Sequence, residues 1–206
     1  GLRLVESDAN EAFWEALEGF GPPSVERRWC CKVCKLGPLA SLIAEHYPEG
    51  CVSFIGQRRY ESVARAKSHR VWRNPWVINQ VGAAPIQNWT SMHVWLYLFH
   101  KHAHYNPLYE MGYDRIGCWM CPSSSVADLM NLKSTHPDLS LRWEKALLKY
   151  ARAHGLSDEW AMLGFWRWSK PPHELEQLEK RLGIECVPVP STTFEFSITT
   201  GVRTCT

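Results

Sequence analysis

Two groups of cysteines constrain the fold of this chain more than any other feature of its sequence. One stretch reads ERRWCCKVCKLGP and supplies Cys30, Cys31 and Cys34. A second stretch, far downstream, reads IGCWMCP and supplies Cys118 and Cys121. Such a separation is tolerable in a folded site, because the entropic cost of closing a loop grows only logarithmically with its length. We therefore expect the fold to bring the two stretches together.

Two different sets of four thiolates are available. Cys31 and Cys34 with the later pair form two C-x-x-C elements, the pattern of a tetrahedral zinc site. The adjacent Cys30 and Cys31 with the later pair suit a [4Fe–4S] cluster, in which each thiolate binds a different iron. Neighbouring cysteines diverge on the backbone, which makes them awkward ligands for one small ion. The spacing alone leaves both sets open.

Composition favours metal or redox chemistry over a disulfide framework. The 206 residues include eight cysteines and no segment resembling a secretory signal. No apolar run approaches the roughly 20 residues needed to cross a bilayer. These features predict a cytoplasmic protein without a membrane partner. The net charge of +2 creates no global field for a polyanion, although basic residues cluster locally.

The chain is expected to be a helix-rich α/β protein. Apolar periodicity and capping residues predict helices over 8–19, 36–47, 90–103, 137–154 and 172–182. The run CVSFI predicts a buried strand over 51–55, residues 71–87 are expected to be extended structure and loop, and 193–203 alternate like a strand entering a turn. One buried strand cannot make a sheet, so part of the fold is expected to lie outside this chain.

An anion site is predicted in the loop after the first strand. This loop reads GQRRYES and continues to Arg65. Guanidinium groups beside a helix amino terminus, at the carboxyl end of a strand, bind anions such as phosphate. Glu61 could act as a base, but we expect it to hold Arg58 or Arg65 in a salt bridge instead.

Five stretches carry a resemblance to a known family: RRWCCKVCKLGPL, FIGQRRYESVAR, NWTSMHVWLYL, YNPLY and GYDRIGCWMCP. In this order they resemble the sulfonucleotide reductases, which are the adenylyl-sulfate (APS) and phosphoadenylyl-sulfate (PAPS) reductases and their archaeal relatives. This family belongs to the adenine nucleotide α-hydrolase superfamily. The resemblance covers roughly residues 10–123 and, more loosely, the helices to about 172.

The resemblance implies a Rossmann-type fold of which this chain is the carboxy-terminal part. The family's phosphate loop, S-G-G-K-D-S, has no counterpart here, so the half of the domain that carries it is expected to be missing. The chain would then be a fragment or one subunit of a split protein. We divide it into a core at 1–123, a helical extension at 124–183 and a strand-like tail at 184–206.

The resemblance also implies which residues form the site. The [4Fe–4S] cluster would be held by Cys30, Cys31, Cys118 and Cys121, with zinc as the alternative metal. The substrate would be an adenine nucleotide, whose sulfate or phosphate would contact Lys35, Arg58, Arg59, Ser62 and Arg65. Lys35 is also a candidate catalytic residue, beside the cluster. The expected partners are the missing amino-terminal half or a second copy of the chain, and an electron donor such as ferredoxin or thioredoxin.

Two departures from the family bear on function. The family nucleophile lies in an E-C-G-x-H segment, whereas Cys186 is followed here by Val-Pro and Cys205 lies in Arg-Thr-Cys-Thr. Cys34 is additional to the cluster motif and is a candidate catalytic thiol that handles sulfur. Three functions follow: sulfur reduction or transfer at an adenine nucleotide, ATP-dependent thiolation of a tRNA or other acceptor, and a non-enzymatic zinc-stabilised binding module. An enzyme would need the missing half for activity.

Overall fold

The computed structural model describes Glu6, Ala9, residues 11–183 and two strands near the carboxyl terminus. The helices are α1 (Ala12–Phe20), α2 (Trp29–Cys31), α3 (Gly37–His46), α4 (Val63–Ala66), α5 (Ser91–His100), α6 (Val126–Thr135), α7 (Pro137–Ala153), α8 (Asp158–Met162) and α9 (His173–Leu182). A π-helix spans Lys32–Leu36, and short 3₁₀ helices span Arg59–Glu61, Pro107–Tyr109 and Phe165–Arg167. The strands are β1 (Cys51–Phe54), β2 (Val71–Arg73), β3 (Gln80–Ala83), β4 (Phe196–Thr199) and β5 (Val202–Cys205).

Most of the predicted elements are confirmed, and the helix-rich α/β class with them. The predicted helices over 36–47, 90–103, 137–154 and 172–182 correspond to α3, α5, α7 and α9. The helix predicted over 8–19 corresponds to α1, which begins later, at Ala12. Glu11 is its N-cap residue and makes no side-chain capping hydrogen bond. Asp8, where the predicted helix begins, lies outside the described residues.

The described residues fall into two units. The first unit contains Cys34–Asn106 and the β4–β5 strands, and the second contains Ala9–Val33 and, among the described residues, 107–183. The boundary at Val33 lies inside the π-helix. The division predicted from the sequence, into a core at 1–123, an extension at 124–183 and a tail at 184–206, is based on the extent of the family resemblance. It stays a prediction.

The first unit is built on a small mixed sheet with the strand order β1-β3-β2. β1 and β3 run parallel, with Val52 opposite Val81, whereas β2 and β3 run antiparallel. The indole of Trp72 lies directly over Gly82, where a Cβ atom would come within 2.6 Å of the ring. On the face of the sheet that carries Cys51, residues of α3 complete a small apolar core.

The prediction that the strand over 51–55 is buried is wrong for β1 as the structure describes it. Val52 and Phe54 are 61% and 79% exposed, whereas Cys51 and Ser53 are half-buried. The apolar run CVSFI therefore reflects a strand covered on one face only. Sheets with parallel strands are usually covered on both faces, so the outer face of β1 is an unusual exposed apolar surface.

The second unit has an aromatic core formed by its helices. Phe13 of α1 stacks on Trp29, with ring centroids 5.2 Å apart, and packs at 6.0 Å against Trp143 of α7. Trp166 meets Trp143 edge to face at 5.1 Å. The Trp29 indole N–H donates to the Gly21 carbonyl at 3.0 Å. Because Trp29 directly precedes Cys30, this core fixes the start of the first cysteine pair.

In the part of the chain that the structure describes, none of the helices combines the length and the apolar character needed to span a membrane.

Candidate functional site

The first cysteine pair lies where an α-helical turn passes into a π-helix. Cys30 and Cys31 end α2, and Cys34 lies in the π-helix that follows. All three side chains are half-buried. π-helical turns are rare and occur frequently at functional sites, because the extra residue per turn redirects side chains. Sequence periodicity carries no signal for such a turn, and it was not predicted.

The second cysteine pair forms a tight turn. The Cys121 backbone N–H donates to the Cys118 carbonyl at 3.1 Å, which closes the C-x-x-C segment. Met120 is buried, Pro122 is fully buried, and Trp119 packs against the second unit's aromatic core. Cys118 remains exposed and Cys121 is half-buried. The turn is therefore anchored from both sides while one of its thiols faces solvent.

The thiols of the two pairs interact with each other. The pKa of the Cys30 thiol is raised, first by its hydrogen bond with Cys31, then by burial and by the charges of Cys31, Cys118 and Cys121. All four belong to the second unit. Cys30 thus lies within electrostatic range of Cys31, Cys118 and Cys121. Among the described residues, however, no three His, Cys, Asp or Glu side chains form a group that could hold a metal ion.

A small cavity lies beside the exposed thiol of the second pair. It has a volume of about 200 Å³, and its lining includes Cys118, Arg115, Asp128 and His136. Leucine side chains complete much of the remaining wall. The cavity gives Cys118 a partly enclosed surrounding with charged groups of both signs.

A buried arginine that was not predicted from the sequence lies near Cys121. Arg167 donates through Nε to the Pro122 carbonyl at 3.0 Å and through Nη2 to the Ser124 carbonyl. Burial lowers its pKa, whereas the charge of Cys121 raises it. The only sequence signal was an arginine between two tryptophans, Trp166 and Trp168, in an otherwise apolar stretch.

The predicted catalytic residues Cys34 and Lys35 lie on the π-helix, in the part assigned to the first unit. Cys34 is half-buried and Lys35 is exposed. The roles of both residues stay predictions.

The predicted anion-binding residues lie at the carboxyl edge of the parallel strands. The Ile55 N–H donates to the Ala83 carbonyl at 2.8 Å, which holds the ends of β1 and β3 side by side. Beyond this point, Arg58 Nη1 donates to Ser91 Oγ at 3.1 Å, at the start of α5. Arg59 Nη1 lies 3.5 Å from Asn88 Oδ1. The two guanidinium groups are thereby oriented by the loop that follows β3.

One carboxylate offsets part of this positive charge. Glu61 accepts from Arg58 at 3.2 Å and from Arg65 at 2.5 Å, which confirms its expected role as a salt-bridge partner. Burial alone would raise the pKa of Glu61, but the Arg58 N–H and the charges of Arg65 and Arg58 hold it below its usual value. Ser62, expected to bind substrate, uses its Oγ to cap α4 by accepting the Arg65 N–H at 3.2 Å.

The architecture is that of an α/β protein with an arginine-lined edge on a parallel strand pair and a separate group of interacting thiols. The chain matches the phosphoadenosine phosphosulfate reductase domain over residues 1–124. It therefore belongs to this PAPS/APS reductase-like family.

Curated relatives agree with this family. The chain is 44% identical over 168 residues to an uncharacterized protein of Methanocaldococcus jannaschii, a match that covers 82% of the chain and 35% of the relative. It is 34% identical over 107 residues to an adenosine 5'-phosphosulfate reductase of Allochromatium vinosum, covering 51% of the chain and 39% of the relative. The corresponding reductase of Neisseria meningitidis is 32% identical over 126 residues, a match that covers 58% of the chain and 44% of that reductase. The chain thus spans less than half the length of these relatives.

Proposed function

We propose that this chain is the cluster-bearing part of an enzyme that reduces or transfers sulfur at an adenine nucleotide. The observation that carries the proposal is that one unit holds both cysteine pairs, Cys30–Cys31 at the end of α2 and Cys118–Cys121 in a closed turn, with Cys30 in electrostatic range of the other three thiols. In a member of the PAPS reductase family, such a group of thiols fits an iron–sulfur cluster. The cluster would supply negative charge and one-electron chemistry when bound.

The donor set fits a cluster better than a single ion. A zinc ion needs four ligand atoms close to one point. A [4Fe–4S] cluster separates its four thiolates, because each binds a different iron. The adjacent Cys30 and Cys31 suit such separated attachment points. Metal binding would also stabilise the deprotonated form of Cys30, whose pKa is raised by its hydrogen bond with Cys31, by burial and by the neighbouring thiolate charges.

The first unit would bind the anionic part of the nucleotide. Arg58 and Arg59 are already oriented by Ser91 and Asn88, so little side-chain entropy would be lost on binding. In this proposal Arg65 also binds the anion, which either displaces Glu61 from the Arg65 guanidinium or shares that guanidinium with Glu61. Ser62 would act through its cap of α4, which fixes the loop. Lys35 would contribute a further positive charge, and Cys34 the thiol that handles sulfur.

The exposed face of β1 supports a partner that completes the fold. Val52 and Phe54 are largely exposed, as are Met92 and Leu96 of α5. Large apolar surfaces of this kind mark interaction sites. We propose that an amino-terminal half with a phosphate loop covers the face of β1, with a second copy of the chain as the competing occupant. Electrons would come from a ferredoxin- or thioredoxin-type donor.

A second function is favoured by basic residues beyond the three arginines already assigned. Lys67, Arg70 and Arg73 are exposed in the same unit, and Arg70 is held by the Pro85 carbonyl at 3.0 Å. Added positive charge suits a polyanionic acceptor such as tRNA. The alternative enzyme would therefore activate an acceptor with ATP and thiolate it.

One assay separates the two functions. The anaerobically prepared chain, combined with the amino-terminal half of the protein and a reduced thioredoxin-type electron donor, is given APS, PAPS or ATP with tRNA. Release of sulfite from APS or PAPS supports the sulfonucleotide reductase. Consumption of ATP dependent on tRNA, without sulfite, supports the thiolation enzyme. If none of these substrates is turned over and the chain carries a single zinc ion, the result supports the non-enzymatic zinc-stabilised binding module.

A further inference from the structure

A short segment of the helical extension connects the two cysteine-bearing stretches. We call residues 164–169 the clasp; it contains the 3₁₀ turn Phe165–Arg167. Gly164 enters the turn with a φ of 81°, a left-handed conformation that favours glycine. Phe165 and Trp166 are buried in the second unit. The clasp is thus a fixed part of this unit.

On one side, the clasp binds the segment that leads to the first cysteine pair. The Val25 N–H donates to the Arg167 carbonyl at 2.7 Å. The Ser169 N–H and hydroxyl donate to the Glu26 carboxylate at 2.9 and 3.2 Å. The segment is also held by Trp29, which is 4% exposed. These contacts leave little freedom in the chain immediately before Cys30.

On the other side, the clasp binds the segment that follows the second cysteine pair. The Arg167 guanidinium donates to the carbonyls of Pro122 and Ser124, the residues that flank Ser123. Its planar fork also lies 4.4 Å from the Trp168 ring centre. A single side chain therefore fixes the exit of the Cys118–Cys121 turn.

The burial of Arg167 has an electrostatic consequence. The residue is only 7% exposed, and a buried charge is costly unless hydrogen bonds and opposite charge compensate it. Its hydrogen-bond acceptors at the turn are neutral carbonyls, which satisfy its N–H groups but supply no full opposite charge. Four thiolates with a [4Fe–4S] core carry a formal charge of about −2. A buried cation at this position would offset part of that charge.

We propose that the clasp is part of the metal centre. Arg167 and Glu26 are positioning residues that hold the two cysteine pairs at one spacing, and the Arg167 charge stabilises the thiolates when the cluster is bound. This inference rests on the proposed function, because it takes the four cysteines to be cluster ligands. It assigns a role to the extension beyond residue 124, outside the span of the family match.

The test compares three variants of the anaerobically prepared full chain. Arg167→Gln removes the charge and most of the fork, and Glu26→Gln weakens the other side of the clasp. Arg152→Gln is the matched control, because Arg152 pairs with Asp158 on the exposed surface of the same unit. The measured quantities are iron and sulfide per chain and the rate of iron loss to a chelator.

Both clasp variants should lose iron about tenfold faster than the wild type, the lower end of the effect seen for residues that support metal ligands. Arg152→Gln should match the wild type. Arg167→Lys separates position from charge, because it keeps the charge but not the fork. It should lose iron faster while leaving the reduction potential closer to the wild-type value than Arg167→Gln does.

A second readout needs no metal. Diamide oxidises two nearby thiols to a disulfide and is itself reduced, so peptide mapping of metal-free protein reports which cysteines meet. The wild type should give disulfides that join Cys30 or Cys31 to Cys118 or Cys121. Glu26→Gln and Arg167→Gln should give fewer of them, and Arg152→Gln the same number.

The outcomes separate the two proposals. Wild-type protein without iron contradicts the proposed function, while the disulfide yields still test the clasp. Wild-type protein with iron, and clasp variants with unchanged iron loss and disulfide yields, overturn the clasp. Near-ultraviolet circular dichroism of the tryptophan core checks folding. If Arg167→Gln does not fold, Glu26→Gln decides, since its carboxylate lies near the surface.

Discussion

The guanidinium of Arg65 lies 2.5 Å from the carboxylate of Glu61. Arg58 contacts the other oxygen of the same carboxylate at 3.2 Å. Two of the three arginines proposed to bind the nucleotide anion are therefore already paired with one acidic side chain. Glu61 orients them and at the same time competes with any anion for their charge.

Glu61→Gln should bind inorganic sulfate or pyrophosphate about fivefold more tightly than the wild type. The substitution removes one negative charge beside the arginines, and a unit charge about 4 Å away is worth roughly 1 kcal/mol in water. Isothermal titration calorimetry measures the change. Glu159→Gln, which alters an exposed acid of the other unit, should have no effect. Unchanged or weaker binding by Glu61→Gln would contradict the proposed anion edge.

The same ion pairs predict a pH dependence of stability. The pKa of Glu61 is below its ordinary value of 4.5. Its contribution is fully present above that value and is lost as the pH falls through the lower pKa of the folded protein. Between about pH 6 and pH 3, the midpoint temperature of thermal unfolding should therefore fall more steeply for the wild type than for Glu61→Gln. Parallel curves for the two proteins would show that these ion pairs do not contribute.

Gly82→Ala should destabilise the sheet of the first unit by about 1–3 kcal/mol, the usual cost of overfilling a packed site. The added Cβ would come within 2.6 Å of the rigid Trp72 indole. Gly56→Ala is the control, because nothing lies within 4 Å of a Cβ at that position. Urea unfolding compares the two. Equal stability of both variants would mean that Trp72 moves away without cost.

The cysteine sets can be separated by two substitutions. Cys30→Ser should abolish cluster binding, because the proposed cluster uses the vicinal pair. Cys34→Ser should retain iron, because Cys34 lies outside that set. Metal analysis of the purified variants gives the result. Metal loss in Cys34→Ser with retention in Cys30→Ser would support the zinc set instead.

The helices and strands that could be predicted from the sequence are those with strong local signals. α7 begins at Pro137 and presents a regular apolar face, and α5 is capped by Thr90, so both were located within a few residues. The burial of β1 was predicted wrongly, because an apolar run does not reveal how many faces of a strand are covered. α6 was not predicted, although Ser125 and Asp128 form a capping box at its start.

The candidate site was predicted to a similar extent. The cysteines and the arginine loop were identified as motifs, and the structure places Cys30 within electrostatic range of Cys31, Cys118 and Cys121, whose role as ligands stays a prediction. The clasp was not predicted, because its contacts join residues distant in sequence. No local pattern indicates that Arg167 would reach the Pro122 carbonyl or that Glu26 would accept from Ser169.

The central claim is that the two cysteine pairs hold a [4Fe–4S] cluster. Metal and sulfide analysis of the full chain purified without oxygen tests it most directly. The account predicts brown protein with about four irons and four sulfides per chain. Colourless protein that carries one zinc and no sulfide would contradict it.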